Sequence, residues 1–143
     1  MTLLIDDQVL AAYLRGANVL DSTAEDVFTT GYWYVRLCMA IARKAGGSLS
    51  GPFAALPEPH RQRAVSAVLQ LPDEIAMLDV RWLGPLIGEL ADRHPPMNIL
   101  TREALASAVE LNATVVLASG NENPALLSGL VAENLCAEIV FTS

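Results

Sequence analysis

Thr101-Arg102-Glu103-Ala104-Leu105-Ala106-Ser107-Ala108, followed by Leu111-Asn112-Ala113-Thr114-Val115-Val116-Leu117-Ala118-Ser119, is the stretch that decides the fold. Its first part places Ala and Leu at helical spacing behind a Thr that can cap a helix, so a helix is expected from Thr101 through Leu111. Its second part, Ala113 to Ala118, is a β-branched apolar run of strand length. Beyond it Pro124 opens a helix to Leu135, and Ala137 to Phe141 forms a last strand. Upstream, Thr2 to Ile5 is a short apolar strand that meets Asp6 and Asp7 and passes into a helix over Gln8 to Leu14. Ser22-Thr23-Ala24-Glu25 has capping-box spacing and predicts a short helical piece, and Tyr32 to Lys44 a longer, strongly apolar helix. Gly46 to Pro52 is expected as a loop, His60 to Leu71 as a helix with Val65, Val68 and Leu69 inward, and Ile75 to Leu78 as a strand. Asp79 then caps a helix from Arg81 to Arg93.

Four strands separated by helices imply a parallel sheet covered on both faces, because parallel strands need long crossovers and the crossovers are helical. The expected class is therefore α/β, a single domain over 1–143. With 52% hydrophobic residues, 143 residues suffice for one core and not for two domains. In such sheets binding sites lie beyond the carboxyl ends of the strands, which singles out Asp6-Asp7-Gln8, Asp79 and Ser119-Gly120-Asn121.

Charge narrows the function. Sixteen acids against nine bases give a net charge of −7, with Lys44 the one lysine, so nothing resembles the basic face that DNA binding requires. The first residues carry neither a basic segment nor a long apolar run, so a signal peptide and a membrane span are not expected, and a cytoplasmic location is. Cys38 and Cys136 lie in apolar sequence without a CxxC pair and are expected to be buried, reduced thiols. His60 and His94 adjoin prolines and are expected at the surface.

The order of elements and several short strings resemble the PIN domain, a small α/β nuclease fold found in VapC-type toxins of bacterial toxin–antitoxin pairs. Leu4-Ile5-Asp6-Asp7-Gln8-Val9-Leu10 is similar to the family's opening strand and its Asp, Thr30 to Ala40 to the helix that carries a Glu, and Thr101 to Ser119 to the helix and strand that start and end in Asp. The resemblance implies a three-layer domain, a site of converging carboxylates on Mg²⁺ or Mn²⁺, and metal-dependent ribonuclease activity. Carried over by position, Asp6 is the one matched acid, while Arg36, Thr101 and Ser119 occupy the other three expected acid positions. An arginine there sets a permanent positive charge where a cation should sit, next to Asp6. The expectation is thus a non-catalytic PIN-like protein without cofactor, serving as a protein-partner or nucleic-acid-binding module. The alternative is a Mg/Mn-dependent endoribonuclease with an atypical set, Asp6, Asp7 and Glu103, although Asp7 is expected to point away from Asp6 and Glu103 to leave its helix far round from Thr101. A third class is an α/β domain for a small molecule. The resemblance also implies a homodimer and an antitoxin-like protein partner, with RNA a weaker candidate in view of the charge.

Asn121-Glu122-Asn123 is expected to be a turn and helix cap, and Tyr32, Trp33 and Tyr34 to be core. Gly46, Gly47 and Gly51 lack the flanking strand, helix and lysine of a phosphate loop.

Overall fold

A computed structural model describes residues 1–44 and 46–142. Its elements run β1 (Thr2–Ile5), α1 (Asp7–Leu14), β2 (Asp26–Phe28), α2 (Gly31–Arg43), α3 (Gly47–Ala54), α4 (His60–Leu69), β3 (Ile75–Ala76), α5 (Val80–Arg93), α6 (Ile99–Leu111), β4 (Thr114–Ala118), α7 (Pro124–Ala132) and β5 (Ala137–Val140). The strands form one parallel sheet in the order β3-β2-β1-β4-β5. The α/β class and the helix-covered parallel sheet expected from the pattern are those observed, with five strands in place of four.

Side chains alternate across the sheet and so divide the core into two halves. Leu3, Ile5, Val116 and Ala118 face Val9, Leu37, Phe53 and Val68 of the first four helices. Leu4, Val115 and Leu117 face Leu83, Leu90, Leu105 and Leu130 of α5, α6 and α7. The three-layer arrangement follows directly, since strands apolar on both faces need a helical layer on each.

Four local expectations are corrected. The stretch after Ser22 forms no helix: Asp21 accepts hydrogen bonds from the N–H and the hydroxyl of Thr23, closing a turn, and the chain enters β2 as the N–H of Glu25 donates to the carbonyl of Met1. The short β2 has only three residues and no alternation to announce it, so its pairing with β1 supplies the signal its sequence lacks. Gly47 to Ala54 is a helix and not a loop, because Phe53 buries into the first core half and holds the segment there. Leu69 turns outward, leaving Ala64 and Val68 as the buried residues of α4. Thr101 is not the cap of α6: Asn98 is, accepting from the Thr101 N–H at 2.9 Å, and Thr101 lies in the first helical turn.

Candidate functional site

The chain steps from β1 to neighbours on one side (β2, β3) and later to neighbours on the other (β4, β5), so the carboxyl ends of β1 and β4 flank the point where the winding reverses. Asp6 occupies that point. It ends β1 and caps α1, its Oδ1 accepting from the Val9 N–H at 2.8 Å. Its Oδ2 accepts from the Ala118 N–H at 2.9 Å, tying β4 to β1, and from Asn121 Nδ2 at 3.1 Å. Asp6 is fully buried. Burial pushes its carboxyl above the usual carboxylate range; the hydrogen bonds from Val9, Ala118 and Asn121 pull the other way, and the charge of Asp7 adds to the rise.

Asp7 does not point away from this centre, as alternation along a strand would require. It is the first residue of α1, where strand geometry has ended, and its Oδ1 accepts from the same Asn121 Nδ2 at 3.1 Å. Asp7 is also fully buried. Its Oδ2 accepts no hydrogen bond, and Arg36 Nε stands 3.3 Å from it, a charge contact without hydrogen-bond alignment. Arg36 therefore faces Asp7 and not Asp6. Burial raises the Asp7 carboxyl above its usual range, with the Arg36 guanidinium and the Asn121 amide opposing.

Around these acids lies an open cleft of about 300 Å³, with Asp6, Trp33, Arg36, Leu117, Asn121 and Asn123 among its walls. Trp33 is buried while Tyr32 is exposed, so only part of the aromatic triplet belongs to the core. Gly120, at φ +87, supplies the left-handed step that turns the chain after β4 and brings Asn121 over both carboxylates. Asn123 caps α7 through its Oδ1 and donates from Nδ2 to Thr101 Oγ1 at 2.8 Å.

Among the sequence candidates, then, Asp6, Asp7 and Arg36 converge, and Thr101 is attached at second hand through Asn123. Ser119 is exposed, and its N–H donates to the Val140 carbonyl on the β5 side at 2.7 Å. The residue after β4 that reaches the acids is Asn121, two positions later. Glu103 is buried elsewhere: its Oε1 accepts from the Tyr32 N–H at 2.9 Å, and Gly31 leaves room for this carboxylate, since a Cβ there would stand 3.2 Å from Oε2. A carboxylate at the start of α2 satisfies an orphan N–H and complements the helix dipole. Among the described residues no three His, Cys, Asp or Glu side chains are grouped to hold one metal ion. Asp6 has a hydrogen-bond donor on each oxygen, and the oxygen of Asp7 that accepts no hydrogen bond faces the Arg36 guanidinium.

The chain is similar in structure to VapBC-1 from nontypeable Haemophilus influenzae. The likeness covers 97% of this chain and 98% of that one, at 14% sequence identity and a TM-score of 0.47. No protein-family model matches the sequence, and no curated protein matches it.

The remaining candidates lie apart from the cleft. His94 is not a surface residue: its ring is nearly buried and its Nε2 stands 2.8 Å from Glu133 Oε2, while Arg93 donates to Glu133 Oε1 at the same distance, so the pair fastens the end of α5 to the end of α7. His60 contacts the Arg15 carbonyl through Nε2 at 3.2 Å and is half-buried. Cys38 is half-buried and Cys136 exposed, in place of the two buried thiols expected; both are free. No described helix is long and apolar enough to cross a membrane.

Proposed function

We propose that this protein is a PIN-like module that does not cut nucleic acid and works by binding a protein partner. The observation that carries this reading is the pairing of Arg36 with Asp7 beside a fully hydrogen-bonded Asp6. A hydrolytic metal site must concentrate negative charge on an ion that activates water. Here an amide donates to both carboxylates and a guanidinium supplies the positive charge, so the cleft is internally satisfied. Arginine cannot give up its proton to vacate that role.

Support for a protein partner comes from the opposite side of the first core half. A groove of about 660 Å³ runs between α2, α3 and α4, with Ile41, Phe53 and Val65 on its walls and Lys44 and Arg61 among its lining residues. In a chain of net charge −7, Lys44 at the rim of this apolar groove, beside an Arg61 already paired with Glu58, suits a segment that presents apolar side chains together with an acidic one. An antitoxin-like protein is a partner of that kind, whereas RNA gains little from the overall charge.

The test is thermal melting of the purified chain with and without millimolar Mg²⁺ or Mn²⁺, alongside incubation with RNA. Overlaid curves and intact RNA are expected, since a ligand stabilises only as its concentration exceeds its dissociation constant. A clear Mn²⁺-dependent rise in melting temperature, or Mn²⁺-dependent RNA cleavage lost in Asp6→Ala, would overturn the proposal in favour of the ribonuclease alternative.

A further inference from the structure

A cavity of about 440 Å³ lies between the segment from Arg93 to Met97 and one face of α7, and it shares no lining residue with the cleft. His94 lines it, although its side chain is only 7% exposed. Nε2 of His94 is held 2.8 Å from Glu133 Oε2, and Arg93 donates to the other oxygen of the same carboxylate at 2.8 Å. Nδ1 has no hydrogen-bond partner among the described residues, yet it is not one of the buried orphan atoms, which are Asp7 Oδ2 and Arg102 Nε. This nitrogen is therefore open, and what remains open of so buried a ring opens into the cavity that it lines.

The partner on Nε2 fixes what Nδ1 offers. Burial pulls the Glu133 carboxyl up, but the hydrogen bonds and charges of His94 and Arg93 outweigh it and hold the group below the usual carboxylate range. An ionised carboxylate can only accept, so in the neutral imidazole Nε2 carries the proton and Nδ1 presents a lone pair. A carboxylate behind an imidazole also fixes the ring orientation and makes the far nitrogen more basic. The rest of the cavity is apolar and low. Ala125, Ser128 and Ala132, at i, i+3 and i+7 of α7, share one helix face and carry nothing longer than a hydroxymethyl group, so they make a flat floor. Pro95 and Pro96 are rigid beside it, and the thioether of Met97 favours contact with aromatic rings. No charge is left over for a ligand: Glu133 is matched by His94 and Arg93, and Arg93 by Glu89 as well.

We infer that this cavity is a binding site for a small, neutral aromatic molecule that carries one N–H or O–H donor, its ring on the α7 floor beside Met97 and its donor on His94 Nδ1. A mostly apolar cavity with a single convergent polar group is the common form of a small-molecule site. The apolar walls supply affinity, and the lone pair supplies selectivity, because a ligand without a donor would cover it and leave it unpaired. A cationic ligand would stand beside Arg93 and an anionic one beside Glu133, so a neutral molecule is favoured. The inference is independent of the cleft, of whether the protein cuts RNA, and of what occupies the groove between α2, α3 and α4.

The experiment titrates the full chain, followed by NMR, with indole as the probe and with N-methylindole, which has the same ring and no donor. Indole should move the signals of Met97, Ala125, Ser128 and Ala132, and N-methylindole should bind about tenfold or more weakly. The nitrogen signal of His94 Nδ1 should move in the direction of hydrogen-bond acceptance with indole and not with N-methylindole. Ala132→Leu, which raises a side chain from an exposed floor position without touching the His94–Glu133 pair, should abolish binding. Val131→Ala, at a 75%-exposed neighbour that does not line the cavity, should leave it unchanged. Signals that stay in place with indole, equal affinity for the two probes, or indole binding that survives Ala132→Leu would each overturn the inference. The comparison of the two probes uses the unmodified chain and stands even if Ala132→Leu fails to fold.

Discussion

Replacing Arg36 with methionine tests the electrostatics of the cleft most directly. The substitution keeps most of the aliphatic stem and removes the one cation 3.3 Å from a buried carboxylate oxygen that accepts no hydrogen bond. Breaking a fully buried ion pair costs about 3–5 kcal/mol, because it strands a charge, whereas exposed pairs are worth roughly 0–1 kcal/mol. Asp7 is fully buried but the Arg36 side chain is 48% exposed, so the cost falls between, at about 1–3 kcal/mol. For a chain of this size that corresponds to a fall in melting temperature of roughly 3–10 °C at neutral pH.

The sign with pH is fixed by Asp7. Its folded carboxyl titrates above its ordinary value of 3.8. Stability contributed by such a group is fully present below 3.8 and is lost as pH rises through the folded value. Arg36 offsets that loss only while Asp7 is ionised. The penalty of Arg36→Met should therefore be greatest at neutral pH and shrink as the pH falls toward 3.8. Adding Asp7→Asn should remove most of it, because an amide carries no charge to strand and its oxygen can still accept from Asn121. Denaturant melts of the wild type, both single variants and the double variant, at neutral and acid pH, supply the cycle. A penalty that does not change with pH, or that survives in Asp7→Asn, would show that Arg36 acts by packing alone and would remove the basis for an internally satisfied cleft.

Two further outcomes are expected. Asp6→Asn should cost about 1–3 kcal/mol despite its equal size, because Oδ2 accepts from two donors and an amide nitrogen placed there faces both; Asp7→Asn, by contrast, should be neutral or stabilising at neutral pH, and chemical denaturation distinguishes the two. Arg36→Glu combined with Asn121→Asp should give a Mn²⁺-dependent rise in melting temperature that the wild type lacks, since the cleft would then gather four carboxylates; Arg36→Glu with Ser119→Asp should not, because Ser119 is exposed and, unlike Asn121, is not hydrogen-bonded to either acid.

The sequence by itself determined the class of this protein. Runs such as Val115 to Ala118, apolar on successive positions, of strand length and led by β-branched residues, read as strands buried on both faces, and the intervening helical periods supply the covering layers. It also fixed Asp6 as the residue at the strand-to-helix turn, because an apolar run ending in Asp before a helical period is a local pattern. Arg36 was visible as the one cation in the middle of an otherwise apolar stretch for the same reason.

Tertiary structure alone decided who meets whom. Arg36 pairs with Asp7 and not Asp6 because Asp6 is consumed by capping α1 and by the Ala118 N–H, a bond spanning 112 positions that no local pattern records. Asn121 replaced Ser119 as the residue over the acids because Gly120 takes a left-handed conformation, and that turn moves the approach to the cleft two residues along the chain. Glu103 became the partner of an α2 N–H through packing between two helices far apart in sequence. Strand β2 formed because β1 and β3 hold it on both sides. Hydrophobic period and capping are short-range quantities carried by neighbouring residues; the geometry of a polar cluster depends on contacts between distant segments, which exist only once the sheet has closed.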